Sequence, residues 1–261
     1  MIKDMVVQDY KNNVYLQEYW NKVRTGEIPV CVELYDEISH LIEEIDSDEY
    51  IFDTKEADLR ISFIENCCFH VKAPFYGKPF ILDLWQKAYV TALFSFKIKL
   101  ATGIDPSYND KIYGWKNRFS ESLMLIQRKN GKTAFCAALA LSDLALGKAG
   151  SSIAVASNDD NQSMLLYGTI DSMRAILDPK QRDFKRTNRL ILCKYNKSDL
   201  YRLSEKMKRL EGRNIVRAYV DEVNMMPAES AVINSIKQST SIQPAGDTLI
   251  LYLTSEGFVT D

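Results

Sequence analysis

The sequence predicts an α/β fold: a mostly parallel central sheet flanked by helices, with a helical region ahead of it. Three observations lead there. From about Trp115 onward, short apolar runs alternate with helical stretches, as in strands joined by crossover helices. Residues 8 to about 100 instead carry apolar side chains at helical spacing. The run Ser122–Ile126 then passes through a glycine turn straight into a long apolar helix, a strand–turn–helix unit.

Each element follows from local signals. Asp9–Arg24 sets Val14, Tyr15, Tyr19 and Val23 near helical spacing and stops at Thr25-Gly26. Cys31–Ile45 continues the pattern and ends in the acidic loop Asp46–Glu49. Lys55–Val71 places Leu59, Ile61, Phe63 and Ile64 on a third helix. Ala73-Pro74 breaks it, because a residue before proline is pushed out of the helical region. Ile81–Phe96 is a fourth helix, entered through Lys78-Pro79-Phe80.

In the second part, Ser122–Ile126 reads as a strand and Lys132–Leu146 as a helix with Gly147 at its C-cap. Ser152–Ala156 is β-rich, and Asn158 caps a helix to about Leu177, stopped by Asp178-Pro179. Arg189–Lys194 and Leu200–Leu203 flank Asn196-Lys197-Ser198-Asp199 and read as a hairpin. Ile215–Val220 and Leu249–Leu253 are two more strands, with the helix Glu229–Gln238 between them. The expected division is residues 1–115 for the helical region and 116–261 for the sheet domain.

With 261 residues, 46% of them hydrophobic, the chain can bury a sizeable core. Its 33 basic and 35 acidic residues nearly cancel, so composition does not announce a nucleic-acid binder, although a local basic patch fits that balance. None of the cysteines forms a C-x-x-C pair, and the adjacent Cys67 and Cys68 have poor geometry for a mutual bridge. The two histidines, His40 and His70, stand at no metal-ligand spacing from a cysteine, so a reducing, intracellular setting follows. The start, MIKDMVVQDYKNN, lacks the apolar core of a signal peptide. The longest apolar run, Ala134–Leu146, is broken by Ser142 and Asp143 and falls far short of a membrane span, so a soluble protein is expected.

Gly131-Lys132-Thr133 is the second half of a phosphate-binding loop, but Ile126 stands where the usual pattern has its first glycine. The tripeptide alone is a weak signal. Its context is stronger, because a strand running into a turn and then a helix aims backbone N–H groups and the positive helix end at one point. In that reading Lys132 reaches the β- and γ-phosphates and the Thr133 hydroxyl holds Mg²⁺. The bland alternative is a strand–turn–helix with an ordinary exposed Lys-Thr.

Asp221-Glu222 closes the apolar strand Ile215–Val220, at the sheet edge where ligands bind in parallel folds. Asp221 would support Mg²⁺ through water. Glu222 would orient and deprotonate an attacking water, which implies NTP hydrolysis rather than storage. The two motifs stand about 90 residues apart with a βα unit between, which matches the NTPases with an extra strand between the motif strands. Leu253–Gly257 ends another strand; its Thr254, Ser255 and Gly257 suit a γ-phosphate sensor, and by themselves suit a polar turn equally. Lys194, Lys197, Arg202, Lys206, Lys208, Arg209, Arg213 and Arg217 form a basic stretch. It reads as a solvated face, or as DNA-phosphate contacts centred on Lys206, Lys208 and Arg209.

Taken together, these residues resemble the N-terminal ATPase motor of the large terminase subunit of tailed bacteriophages. The resemblance covers nearly the whole chain, including "YLQEYWNKVRTGEIPVCVELYDEISHL" and "FIENCCFHVKAPFYGKPFILDLWQKAYVTALFSF". That family's loop typically has a basic residue before G-K-[ST] and no obligatory first glycine, as in "QRKNGKT". The fold it implies is a P-loop NTPase of the ASCE type with a helical N-terminal lid.

The resemblance also implies site roles. Nucleotide contacts fall to Gln86, Arg128, Lys129, Asn130, Gly131, Lys132 and Thr133. Gln86 would read the adenine edge, since its amide offers both a donor and an acceptor. Arg128, or its neighbour Lys129, would contact the γ-phosphate and stabilise charge as the phosphoryl group leaves. Glu222, Arg128 and Lys132 carry catalysis, Thr133 and Asp221 the metal, and Thr254, Ser255 and Gly257 the coupling, with Glu256 at a more variable place.

Such a chain would hydrolyse ATP, with Mg²⁺, to move viral double-stranded DNA through the portal into the procapsid. Its implied partners are that DNA, the portal protein, the small terminase subunit and further copies of itself in a ring. The implied setting is host cytoplasm, with no membrane. The family's RNase H-like nuclease domain is expected after the coupling motif, and no carboxylate cluster follows Gly257, so no nuclease activity is expected of this chain. The competing readings are a helicase-like DNA-dependent ATPase, which would need a second motor domain, and a non-hydrolysing nucleotide-binding scaffold. A small-molecule kinase is disfavoured by Glu222, which provides a base for water.

Overall fold

The computed structural model describes residues 13–99, 115–127, 129–187, 190–204, 215–241 and 248–255. The chain forms two compact units, Met1–Phe63 with Ile81–Phe119, and Ile64–Phe80 with Ser120–Asp261.

The first unit is built on helices α1 (Tyr15–Arg24), α2 (Val32–Glu44), α3 (Lys55–Cys67, whose last residues belong to the second unit) and α4 (Leu84–Ser95). Leu16, Tyr19 and Val23 of α1 pack with Ile38 and Leu41 of α2 and Ala88 of α4, the helical spacing visible in the sequence. Helix α1 begins at Tyr15 because Asn13 turns the chain. The Asn13 carboxamide accepts the Tyr15 N–H at 3.2 Å, and its backbone N–H donates to Thr54 Oγ1 at 3.0 Å. A small antiparallel sheet completes the unit: β1 (Ile51–Phe52), β2 (Phe96–Lys99) and β3 (Trp115–Asn117), in the order β1-β2-β3. Fully buried Phe96 anchors it, with the Phe52 ring 5.0 Å away. Sequence periodicity predicts helix to Phe96, yet Phe96 opens a strand, so the pattern ends one residue early.

The second unit holds a seven-stranded sheet in the order β4-β10-β9-β5-β8-β7-β6. Its parallel part comprises β4 (Glu121–Leu125), β10 (Leu249–Thr254), β9 (Ile215–Asp221), β5 (Ser152–Ser157) and β8 (Asp199–Ser204). Strands β7 (Leu190–Cys193) and β6 (Phe184–Arg186) extend it antiparallel, and β7–β8 is the predicted hairpin. Lys197 takes φ 60° at its tip, where the Cys193 N–H donates to Ser198 O.

Helices α5 (Lys132–Leu146), α6 (Asp160–Leu177) and α7 (Ala231–Ser241) flank this sheet. Val232 and Ile236 of α7 pack on Ala218 and Val220 of β9 and on Ala154 and Ala156 of β5. Helix α5 is buried continuously from Phe135 to Ala145, which explains why its sequence is apolar all round. Burial on both faces likewise gives β5 its apolar run Ile153–Ala156 and β9 its run Ala218–Val220. The strand between β4 and β9 is β10, which follows both in sequence. The strands that separate them in sequence, β5 to β8, all lie beyond β9.

Several boundaries differ from expectation for identifiable reasons. Helix α3 stops at Cys67 instead of Val71, because Phe69 pairs with Pro79 in an antiparallel turn. Asp159, not Asn158, caps α6: its carboxylate accepts the Asn161 and Gln162 N–H groups. Gly147 caps α5 in an extended conformation, φ −62°, and is glycine for another reason. A Cβ there would stand 2.5 Å from the Asp143 carbonyl oxygen. No helix among the described residues is long and apolar enough to cross a membrane.

Candidate nucleotide site

The site assembles at the C-terminal edge of the parallel strands of the second unit. Strand β4 delivers the chain to a turn through Lys129, Asn130 and Gly131, and α5 starts at Lys132. Lys129 and Gly131 both adopt left-handed backbone, φ 72° and 76°. Glycine does so freely, whereas for Lys129 the conformation costs about 1–2 kcal/mol. The N-cap is Gly131, which has no side chain to cap α5, and the N–H groups of a helix's first turn are then available to an anion, the arrangement that binds phosphates.

The neighbouring strands bring the acidic and hydroxyl residues to the same edge. Thr254 of β10 lies in register with Leu125, and the Ile126 N–H donates to Thr254 O at 3.2 Å. Asp221 at the end of β9 lies between Leu253 of β10 and Ser157 of β5. Lys132 Nζ donates to Glu222 Oε1 at 2.9 Å and stands 3.4 Å from Asp221 Oδ1. Ser255 Oγ donates to the Glu222 carboxylate at 3.2–3.3 Å. Glu222 itself sits in left-handed backbone, φ 51° and ψ 51°, a strained conformation for a non-glycine residue and one found most at functional sites.

Burial shapes the two carboxyls in opposite ways. It pushes Asp221 above the ordinary carboxylate range, with the Glu222 charge adding to the rise and Lys132 opposing it. Burial would also raise Glu222, but the Lys132 hydrogen bond and charge, joined by Ser255, outweigh it and hold Glu222 below its usual value. Thr133 and Asp221 would supply hard oxygen donors of the kind Mg²⁺ prefers. Mg²⁺ commonly takes one or two protein oxygens and completes its shell with water and phosphate, so this sparse donor set fits it. No group of three or more His, Cys, Asp or Glu able to hold a metal occurs among the described residues.

Gln86 belongs to the first unit. It is buried near the start of α4, where its carboxamide oxygen accepts the Asp83 N–H at 2.9 Å in a capping box. Arg128, Lys206, Lys208, Arg209, Glu256 and Gly257 lie outside the described residues.

Two members of the basic stretch are not a simple solvated face. Arg202 pairs with Asp160 at 3.4 Å. Arg217 is buried, because the β9 face it shares with Tyr219 points to Asp143 of α5. Sequence reading also missed Ser157, fully buried beside Asp221, whose hydroxyl donates to Gln162 Oε1 at 3.1 Å. Its signal was its position, at the end of an apolar strand on the same edge.

A family model, the terminase large subunit ATPase domain, matches residues 108–257. The chain belongs to that family. The terminase fold is seen directly in the HK97 bacteriophage large terminase, which aligns with a TM-score of 0.60 at 20% identity over 76% of this chain and 37% of that one. The large terminase ATPase domain of Thermus phage P74-26 aligns with a TM-score of 0.43 at 16% identity, over 53% of this chain and 60% of that one. No curated protein matches this terminase chain in sequence. It spans 37% of the HK97 protein's length.

Proposed function

We propose that this terminase ATPase domain hydrolyses ATP, with Mg²⁺, and that turnover drives viral double-stranded DNA through a portal into a procapsid in the host cytoplasm. The observation that carries the reading is the convergence of Lys132, Asp221, Glu222 and Ser255 at the uncapped start of α5.

Bound phosphates would compete with Glu222 for the Lys132 ammonium. Once Lys132 turns to them, Glu222 loses the main influence that lowers its pKa, and burial then raises it. The carboxylate becomes a stronger base as substrate arrives, and it takes a proton from water as the water attacks the γ-phosphorus. Mg²⁺, held through Thr133 and Asp221, would offset phosphate charge. Ser255, bonded to Glu222 at the tip of β10, senses the change and passes it on with Thr254 and Gly257. Arg128 or Lys129 steadies the γ-phosphate, and Gln86 offers its –NH₂ to adenine. Portal protein, the small terminase subunit and further copies in a ring are the partners of this reading, and Lys206, Lys208 and Arg209 its DNA contacts.

A steady-state ATPase assay on wild type and Glu222→Gln tests it. The variant should lose about 10²- to 10⁴-fold in kcat and still bind ATP. Equal rates would exclude Glu222 as the base, and tight binding without turnover in wild type would favour a scaffold. In the same assay with DNA, substituting Lys206, Lys208 and Arg209 together should weaken stimulation and its salt dependence.

A further inference from the structure

Helix α5 and strand β9 are joined at both ends by polar contacts, and only one end belongs to the chemistry above. Side chains 217, 219 and 221 of β9 alternate onto one face. At the helix start, Lys132 meets Asp221 at 3.4 Å. About 16 Å further along the helix, Asp143 accepts the Tyr219 hydroxyl at 2.6 Å and stands 3.5 Å from Arg217 Nε. All three residues of this second contact are buried: Asp143 is 2% exposed, Tyr219 0% and Arg217 6%.

A buried charged cluster is a poor way to gain stability, because desolvation offsets most of the attraction. What it supplies is a unique register. The rest of α5 from Phe135 to Leu144 packs through apolar residues and alanines, apart from Ser142, whose hydroxyl bonds back to Leu139 O. Apolar packing tolerates small slips, whereas a 2.6 Å hydroxyl–carboxylate bond does not.

We propose that Asp143, Tyr219 and Arg217 form a brace that fixes the axial position of α5 against β9, and that they are positioning residues for ATP hydrolysis. Helix α5 carries the phosphate-binding end and Glu222 follows β9 directly, so the brace sets the distance between the γ-phosphorus and the base. The inference rests on the ATPase reading above. A slip of this kind changes catalysis more than binding, because most of the direct phosphate contacts in that reading come from the loop and the start of α5.

Tyr219→Phe removes one oxygen and leaves the ring in place. Assayed on the whole chain well below its melting temperature, it should lower kcat about tenfold while KM for ATP stays within about twofold. Asp143→Asn keeps an acceptor for the Tyr219 hydroxyl and should retain more kcat than Asp143→Ala. The double variant Asp143→Ala/Tyr219→Phe should be no slower than Asp143→Ala, since both remove the same bond. If Asp143→Ala does not fold, Tyr219→Phe and Asp143→Asn still decide the matter. A lower melting temperature with unchanged kcat in Tyr219→Phe would overturn the brace and leave the ATPase reading standing. A wild-type chain that turns over no ATP would overturn both.

Discussion

Lys132 Nζ donates to Glu222 Oε1 at 2.9 Å, so the residue proposed to hold phosphate and the residue proposed to activate water hold each other. Neither can do its work while this contact lasts. The pair is a competition in which the substrate's phosphates are the third party.

The electrostatic consequence can be measured. Glu222 has a lowered pKa, so its stabilising contribution is full above the unfolded-state value and is lost as pH falls through the folded one. Asp221 is raised, so its contribution is full below the unfolded value and is lost as pH rises through the folded one. In Lys132→Ala, burial is left largely unopposed at Glu222, and its pKa should move above the ordinary carboxylate range. Ser255→Ala should shift it in the same direction by less. Carboxyl ¹³C titration of the two variants checks both signs, and a Glu222 pKa unmoved by Lys132→Ala would show that the contact is not made in solution.

The loop's backbone makes a second prediction. Gly131 has φ 76° and open space where a Cβ would stand, so Gly131→Ala should cost about 1–2 kcal/mol through backbone strain alone. Lys129 at φ 72° is the reverse case, and Lys129→Gly should gain up to about 1 kcal/mol in urea denaturation. The two changes are expected to have opposite signs although they stand two residues apart.

Gln86 separates a structural role from a recognition role. Glutamate at that position still accepts the Asp83 N–H, but it also buries a carboxylate, so Gln86→Glu should cost about 1–3 kcal/mol of stability while α4 keeps its start. It removes the –NH₂ group, and the preference for ATP over GTP should fall. Unchanged nucleotide preference would confine Gln86 to its capping box.

Much of the second unit was legible in the sequence because its signals are local. Helix α5 begins and ends where a glycine on either side says it should, and β9 is an apolar run closed by an acid pair. The small sheet of the first unit was not legible, since strands of two to four residues are too short to show alternation. The α6 cap was misplaced by one residue because Asn158 and Asp159 are both good capping residues, and only backbone geometry chooses between them. Arg217 looked like part of a charged surface. Its partner Asp143 is remote in sequence, and a buried ion pair between a strand and a helix leaves no short-range pattern. The Lys132–Glu222 contact was hidden for the same reason.

Strand order also dictates timing. Among the described residues β4 pairs with β10 and with no other strand, and β10 is the last strand of the seven to leave the ribosome. While the chain is being synthesised, β9, β5 and β8 can already zip together, but β4, the strand that leads into Gly131-Lys132-Thr133, has no partner in the sheet until β10 and its Thr254 have been made. The nascent protein therefore cannot present a finished phosphate cradle ahead of the strand that carries its sensor, and the two come into being as a single event.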